Sequence, residues 1–375
     1  MRKQRRILNM NLSGSKKTLA LAGVLCGVVA VVLALMGNPA NMAICIACFI
    51  RDTAGALGMH QAAVVQYVRP EIIGIVLGSF IISVATKEYR STAGSSPMIR
   101  FVLGVIIMIG SLVFLGCPLR MVIRMAAGDL NAYVALVGFI LGIAVGIVAL
   151  KKGFSLGRSY ETTPAAGAVL PVICLGLLAL LLFVPSLLKF SESGPGSKHA
   201  PVAIALIAAI IFGALAQKAR MCFAGGIRDV ILMKNFDLLT VVGSLFVVML
   251  IFNIANGSFV LSFTTPGIVA HNDHLWNLLG MFVVGFAATL AGGCPLRQLV
   301  LAGQGSSDAA VTVLGMFVGA ALCHNFGLAS SGTAPNAETG EIVLGAASQN
   351  GKYAVIICIV VLVAISIAGI KRKKA

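Results

Sequence analysis

Two short motifs, each present twice, hold the residues of this sequence that could do chemistry. Gly116-Cys117-Pro118-Leu119-Arg120 recurs 177 positions downstream as Gly293-Cys294-Pro295-Leu296-Arg297. Cys45 stands six residues before Arg51-Asp52, and Cys222 six residues before Arg228-Asp229, again 177 apart. Proline is favoured at the first helical position, where its missing N–H is not needed. Pro118 and Pro295 are therefore expected to start short helices, with Cys117 and Cys294 at the N-caps. An N-cap faces unsatisfied N–H groups and the positive end of a helix dipole, a place that attracts anions. Arg120 and Arg297, in the first turn, add positive charge, and Gly116 and Gly293 allow another backbone or a ligand to come close. The competing reading is a tight turn with a small packed cysteine; the second copy counts against it.

Six residues is under two helical turns, so each Arg-Asp pair is not on one clean face with its cysteine. The expectation is a deep thiol, with Arg51-Asp52 or Arg228-Asp229 near the mouth. The preferred reading of the pairs themselves is that they pin the short helices to their neighbours by a salt bridge. Four thiols converging near one point would suit a soft partner: sulfur, selenium, Cu(I) or another thiol. With helix starts nearby, an anion bearing a terminal sulfur or selenium fits better than a bare cation. Cys26, Cys48, Cys174, Cys323 and Cys358 have no cysteine at the repeat offset and are assigned to packing. His271 and His274 form an HxxH expected to lie in a solvated loop, and Asn131 and Asp308 are candidate helix caps. No catalytic residue, metal site or cofactor is expected.

The elements that must position these residues follow from composition. The 375 residues are 59% hydrophobic and 11% charged, with a mean hydropathy of +1.01. Soluble domains are about a quarter charged, so a soluble enzyme and a disordered chain are both excluded. Ten apolar segments are long enough to cross a bilayer: about 18–36, 68–86, 99–116, 131–150, 166–188, 200–216, 238–256, 275–293, 308–327 and 353–370. The net charge of +16 would suggest nucleic acid in a soluble protein. Here loop placement explains it. With both termini in the cytoplasm, 21 of the 28 Lys and Arg face inside, as cytoplasmic retention of basic loops requires. The start, MRKQRR before an apolar run, could be a signal peptide; the run is long, and a retained first helix is preferred.

Two unrelated motifs sharing one offset imply internal duplication. Residues 1–190 form the first repeat and 191–375 the second, with five spans each. Short helices are expected near 39–58 and 117–129, and again near 217–234 and 294–306. Five spans is odd, so the halves are expected to be inverted, a plan that puts a transporter's site where they meet. The fold class is thus an all-α polytopic membrane protein with an inverted internal repeat.

At the Cys…Ile-Arg-Asp and Gly-Cys-Pro-Leu-Arg motifs the chain resembles the YeeE/YedE family of sulphur-transport membrane proteins, nearest to its YedE branch, described as selenium transporters. The resemblance spans essentially the whole chain. It implies a bacterial inner-membrane protein that passes thiosulfate or a selenium compound along cysteine thiols, here Cys45, Cys117, Cys222 and Cys294. Pro-Leu-Arg after the second-type cysteine departs from thiosulfate-carrying members and leaves the solute open. The alternatives are a membrane sulfur or selenium transferase working through Cys persulfides, and a non-transporting scaffold. Expected partners are the solute, the bilayer and a cytosolic sulfur- or selenium-carrier protein, with no nucleic acid.

Overall fold

The computed structural model describes residues 16–264, 269–335 and 342–370. Among the described residues, fourteen helices of nine residues or more carry the fold. They are α1 (Lys16–Leu35), α2 (Ile46–Ala56), α3 (Pro70–Ala85), α4 (Pro97–Phe114), α5 (Pro118–Ala126), α6 (Leu130–Lys151) and α7 (Pro164–Phe183), then α8 (Val202–Lys218), α9 (Phe223–Met233), α10 (Asp237–Ala255), α11 (His274–Ala291), α12 (Pro295–Gly303), α13 (Ser307–Asn325) and α14 (Gln349–Ala368). Among the described residues, strand is confined to two two-residue ladders, Thr92–Ala93 with Tyr160–Glu161 and Ala334–Pro335 with Ile342–Val343.

Ten stretches among the described residues are long and apolar enough to cross a membrane, at the places the hydropathy pattern puts them. The largest difference is at α7, which stops at Phe183 rather than continuing to 188. Pro185 follows, and the residue before a proline is pushed out of the helical region. The chain is an all-α polytopic membrane protein.

The 177-residue offset is written into the helix ends. α2, α4, α5 and α6 start 177 positions before α9, α11, α12 and α13. Packing follows the same correspondence. The four most extensive contacts are α6 with α11, α3 with α8, α13 with α4 and α10 with α1; the third is the counterpart of the first and the fourth of the second. Each joins a helix of the first seven to one of the second seven, so neither set packs as a separate body.

Small residues make these contacts close. A Cβ on Gly138 would overlap the Leu278 carbonyl, and one on Gly142 the Phe282 carbonyl; in the counterpart pair, Gly315 faces the Phe101 carbonyl. Lipid offers no hydrophobic drive between helices, so backbone approach of this kind is what holds them. Gly142→Val is expected to cost about 3 kcal/mol, the upper part of the usual overpacking range, because a carbonyl cannot rotate away as a side chain can. The check is the yield of monodisperse protein after detergent extraction, which should fall sharply while Gly176→Val, with nothing near its Cβ, leaves it unchanged.

Two sequence expectations change at the helix starts. The caps of α6 and α13 are Asp129, whose carboxylate accepts from Asn131 N–H, and Ser306, whose hydroxyl accepts from Ala309 N–H. They are not Asn131 and Asp308; the Asp308 carboxylate instead accepts the N–H groups of Gly94 and Ser95. His271 is buried rather than solvated. Its Nε2 donates to the Val113 carbonyl at 2.7 Å and its Nδ1 accepts from Asp273 N–H, which fixes one neutral tautomer. Burial pushes its pKa down to about 4.

Candidate functional site

The motif Gly-Cys-Pro-Leu-Arg sits where a long helix turns into a short one. α4 ends on Leu115 in the left-handed conformation (φ 62°) and α11 ends on Gly292 (φ 85°). The next N–H, of Gly116 or Gly293, closes back onto Ser111 or Ala288, the usual way a helix satisfies its last carbonyls. Pro118 and Pro295 then occupy the first turn of α5 and α12, with Cys117 and Cys294 at the N-caps. The glycines leave room for their own motif's arginine: a Cβ on Gly116 would meet the Arg120 side chain at 2.8 Å, and one on Gly293 the Arg297 side chain at 2.9 Å.

Cys45 and Cys222 are N-caps as well. The Cys45 sulfur accepts from Cys48 N–H at 3.4 Å, and the Cys222 sulfur from Gly225 N–H at 3.1 Å. All four motif cysteines thus sit at the starts of four short helices, and the helices meet start to start in pairs. In the first seven helices, the Cys45 sulfur is 4.0 Å from that of Cys117, at the N-caps of α2 and α5. In the second seven, Cys222 and Cys294 lie side by side at the N-caps of α9 and α12. The structure therefore brings Cys45 to Cys117 and Cys222 to Cys294, as two thiol pairs.

The two centres differ in access. The first is sealed. Cys45, Cys48, Cys117 and Arg120 are all exposed by 1% or less, and the Arg120 guanidinium is held by the carbonyls of Leu115, Asn41 and Val269. The second lies at the edge of a cavity of about 590 Å³ that reaches Cys222, Gly225 and Arg297. Its charged lining is Lys218, Arg220, Arg228 and Arg297 against Asp229 and Asp237. Four cations against two anions make it a basic vestibule, and a cleft of one sign concentrates ions of the other.

The Arg-Asp pairs divide the same way. Arg51 and Asp52 are buried, and Asp52 also binds Arg69, with N···O distances of 2.7 Å to both arginines. This is a structural pin, to which Arg69 adds a second cation from the start of α3. Arg228 and Asp229 form a 2.9 Å pair that is partly exposed and lines the vestibule, as a mouth position should.

Sequence reasoning missed three residues. Cys48, assigned to packing, has its sulfur 3.1 Å from that of Cys45 and 3.3 Å from Arg120 Nη1. The signal was the Cys45-Ile46-Ala47-Cys48 spacing, masked because its repeat counterpart is Gly225. Arg69 and the neighbouring Glu71 lie in a span and gave no motif. Among the described residues no group of three or more His, Cys, Asp or Glu could hold a metal ion.

A bundle of membrane-crossing helices that brings cysteine-capped helix starts together in pairs, one pair beside a basic vestibule, defines a polytopic membrane protein. The sulphur transport family model matches residues 2–145 and 218–375, and the chain belongs to that family, the YeeE/YedE sulphur-transport proteins. A search of curated proteins returns no match. The protein is a membrane sulfur transporter.

Proposed function

We propose that the chain is a permease that carries a small sulfur- or selenium-containing anion, thiosulfate-like in shape, inward across the bacterial inner membrane. The observation that supports this most is the opposed helix starts at Cys222 and Cys294, beside a basic cavity. The anion's charge is met by N–H groups and Arg297, and its soft terminal atom by the thiols. The seven-helix halves are taken as inverted, which makes the Cys45–Cys117 pair a second station on the same path. The vestibule carries basic loops and therefore faces the cytoplasm, so this is the inward-open arrangement, with the outer station closed by Arg51, Asp52 and Arg69. Both termini are cytoplasmic in this reading, no reaction is catalysed on the solute, and a cytosolic sulfur or selenium carrier receives it.

The test is uptake of radiolabelled thiosulfate and selenite by inner-membrane vesicles with and without the chain. Chain-dependent entry of intact solute is the expected result. The 3.1 Å Cys45–Cys48 contact favours one alternative, a transferase in which Cys45 takes a sulfane sulfur as a persulfide. That reading predicts sulfite left outside and sulfide or persulfide inside, and finding them in place of intact thiosulfate would replace the permease with the transferase.

A further inference from the structure

Two fully buried carboxylates lie at the closed end of the first half, and they are treated very differently. Asp52 is held by two arginines. Glu71, in the first turn of α3 and 0% exposed, receives one hydrogen bond, from Asn38 Nδ2 to Oε1 at 2.7 Å. Its Oε2 has no partner. The charged groups around it are already committed. Arg51 and Arg69 bind Asp52, and Arg69 also donates to the carbonyls of Pro195 and Lys198. The outer half of α8, which packs on α3, offers no ionisable side chain. An ionisable group left this way at membrane depth is a functional candidate by default.

The surroundings supply a route in and a link to the thiols. Tyr67 Oη is also buried without a partner, within Coulombic reach of Glu71. The Tyr67 ring stacks at 3.9 Å on His199, which is partly exposed. On the other side, the Asn38 amide that donates to Glu71 also donates to the Ala43 carbonyl at 2.8 Å. Its Oδ1 accepts from Ala200 N–H. Ala43 has a positive φ of 31° and stands two residues before Cys45. One side chain therefore ties the carboxyl to the loop that sets the Cys45 thiol and to the segment leading into α8.

We propose that Glu71 is the proton-binding group that couples solute entry to a proton moving the same way. The proposal rests on the permease reading above. The proton passes from outer water to Glu71 Oε2, where it completes the unsatisfied oxygen, and leaves to inner water when the Asn38 link rearranges with the Cys45 loop. No covalent bond to sulfur changes and no electrons move. Each proton offsets one unit of the negative charge that the anion carries inward.

The purified full chain in proteoliposomes tests this with radiolabelled thiosulfate in two assays. Wild type should accumulate thiosulfate when the interior is made alkaline, and should exchange it across the bilayer with no gradient imposed. Glu71→Gln should abolish accumulation and keep exchange; Glu71→Asp should restore part of the accumulation. A pH-dependent infrared band of a protonated carboxyl should be present in wild type and absent in Glu71→Gln. Full accumulation by Glu71→Gln would overturn the coupling role, as would loss of both assays in both variants or absence of the band. If wild type fails even to exchange, the permease reading falls, and the infrared band still decides whether Glu71 binds a proton.

Discussion

Cys222→Ala and Cys294→Ala are each expected to cut thiosulfate uptake roughly tenfold to a hundredfold. The magnitude follows from removing one hydrogen bond to a charged group, worth about 1.5–3 kcal/mol, at about 1.4 kcal/mol per tenfold. The two thiols face each other at adjoining helix starts, so losing either leaves the other without its neighbour and leaves a gap beside the vestibule. Cys45→Ala and Cys117→Ala should act alike if the two pairs are successive stations. Cys26→Ala and Cys174→Ala are the controls: both are buried, and neither belongs to a pair. Serine replacements refine the result. A hydroxyl keeps the hydrogen bond and loses the soft sulfur, so partial rescue by Cys222→Ser indicates a hydrogen-bonded relay, whereas a dead serine variant indicates sulfur–sulfur bonding. Normal uptake by Cys222→Ala and Cys294→Ala, with loss in Cys26→Ala, would remove the thiol pairs from the pathway.

The pairing of these thiols shows what a sequence of this kind discloses and what it withholds. The 177-residue offset identified Cys45 with Cys222 and Cys117 with Cys294 as equivalents, and the structure places each at the same point of an equivalent helix. Pro118 and Pro295 made two of the four N-caps legible. Cys45 and Cys222 have no proline after them, so nothing local announced their caps; the cap hydrogen bonds exist because the preceding loops turn the sulfurs onto Cys48 N–H and Gly225 N–H. Repeat arithmetic also misleads where the halves have diverged. Cys48 has Gly225 for a counterpart and Arg69 has Phe246, and both residues are in the sealed first half. Their partners, Cys45, Arg120 and Asp52, are fixed by tertiary packing that hydropathy does not encode. The His271 burial was hidden for the same reason: its partner, the Val113 carbonyl, is 158 residues away.

That divergence leads to the largest stability effect expected for the molecule. Asp52→Ala should destabilise the fold by about 3–5 kcal/mol, the usual cost of stranding buried charge. Arg51 and Arg69 are 2% and 0% exposed at their side chains, and removing their shared carboxylate leaves two cations facing each other out of water. Arg69 would keep its hydrogen bonds to the Pro195 and Lys198 carbonyls, which satisfy donors but bring no opposite charge. The repeat supplies its own control. Asp229→Ala removes the equivalent carboxylate from a pair exposed by 33% and 16%, with no second arginine, and exposed pairs are worth about 1 kcal/mol or less. Thermal unfolding of the two variants in one detergent measures the contrast. Asp52→Ala should melt far below wild type and Asp229→Ala close to it. Double replacement of Arg51 and Arg69 by Met in the Asp52→Ala background should recover much of the loss, since an uncharged site of similar volume has nothing left unpaired. Equal melting of the two single variants would mean that the closed station is not held by this network, and that its seal must come from apolar packing of α2 alone.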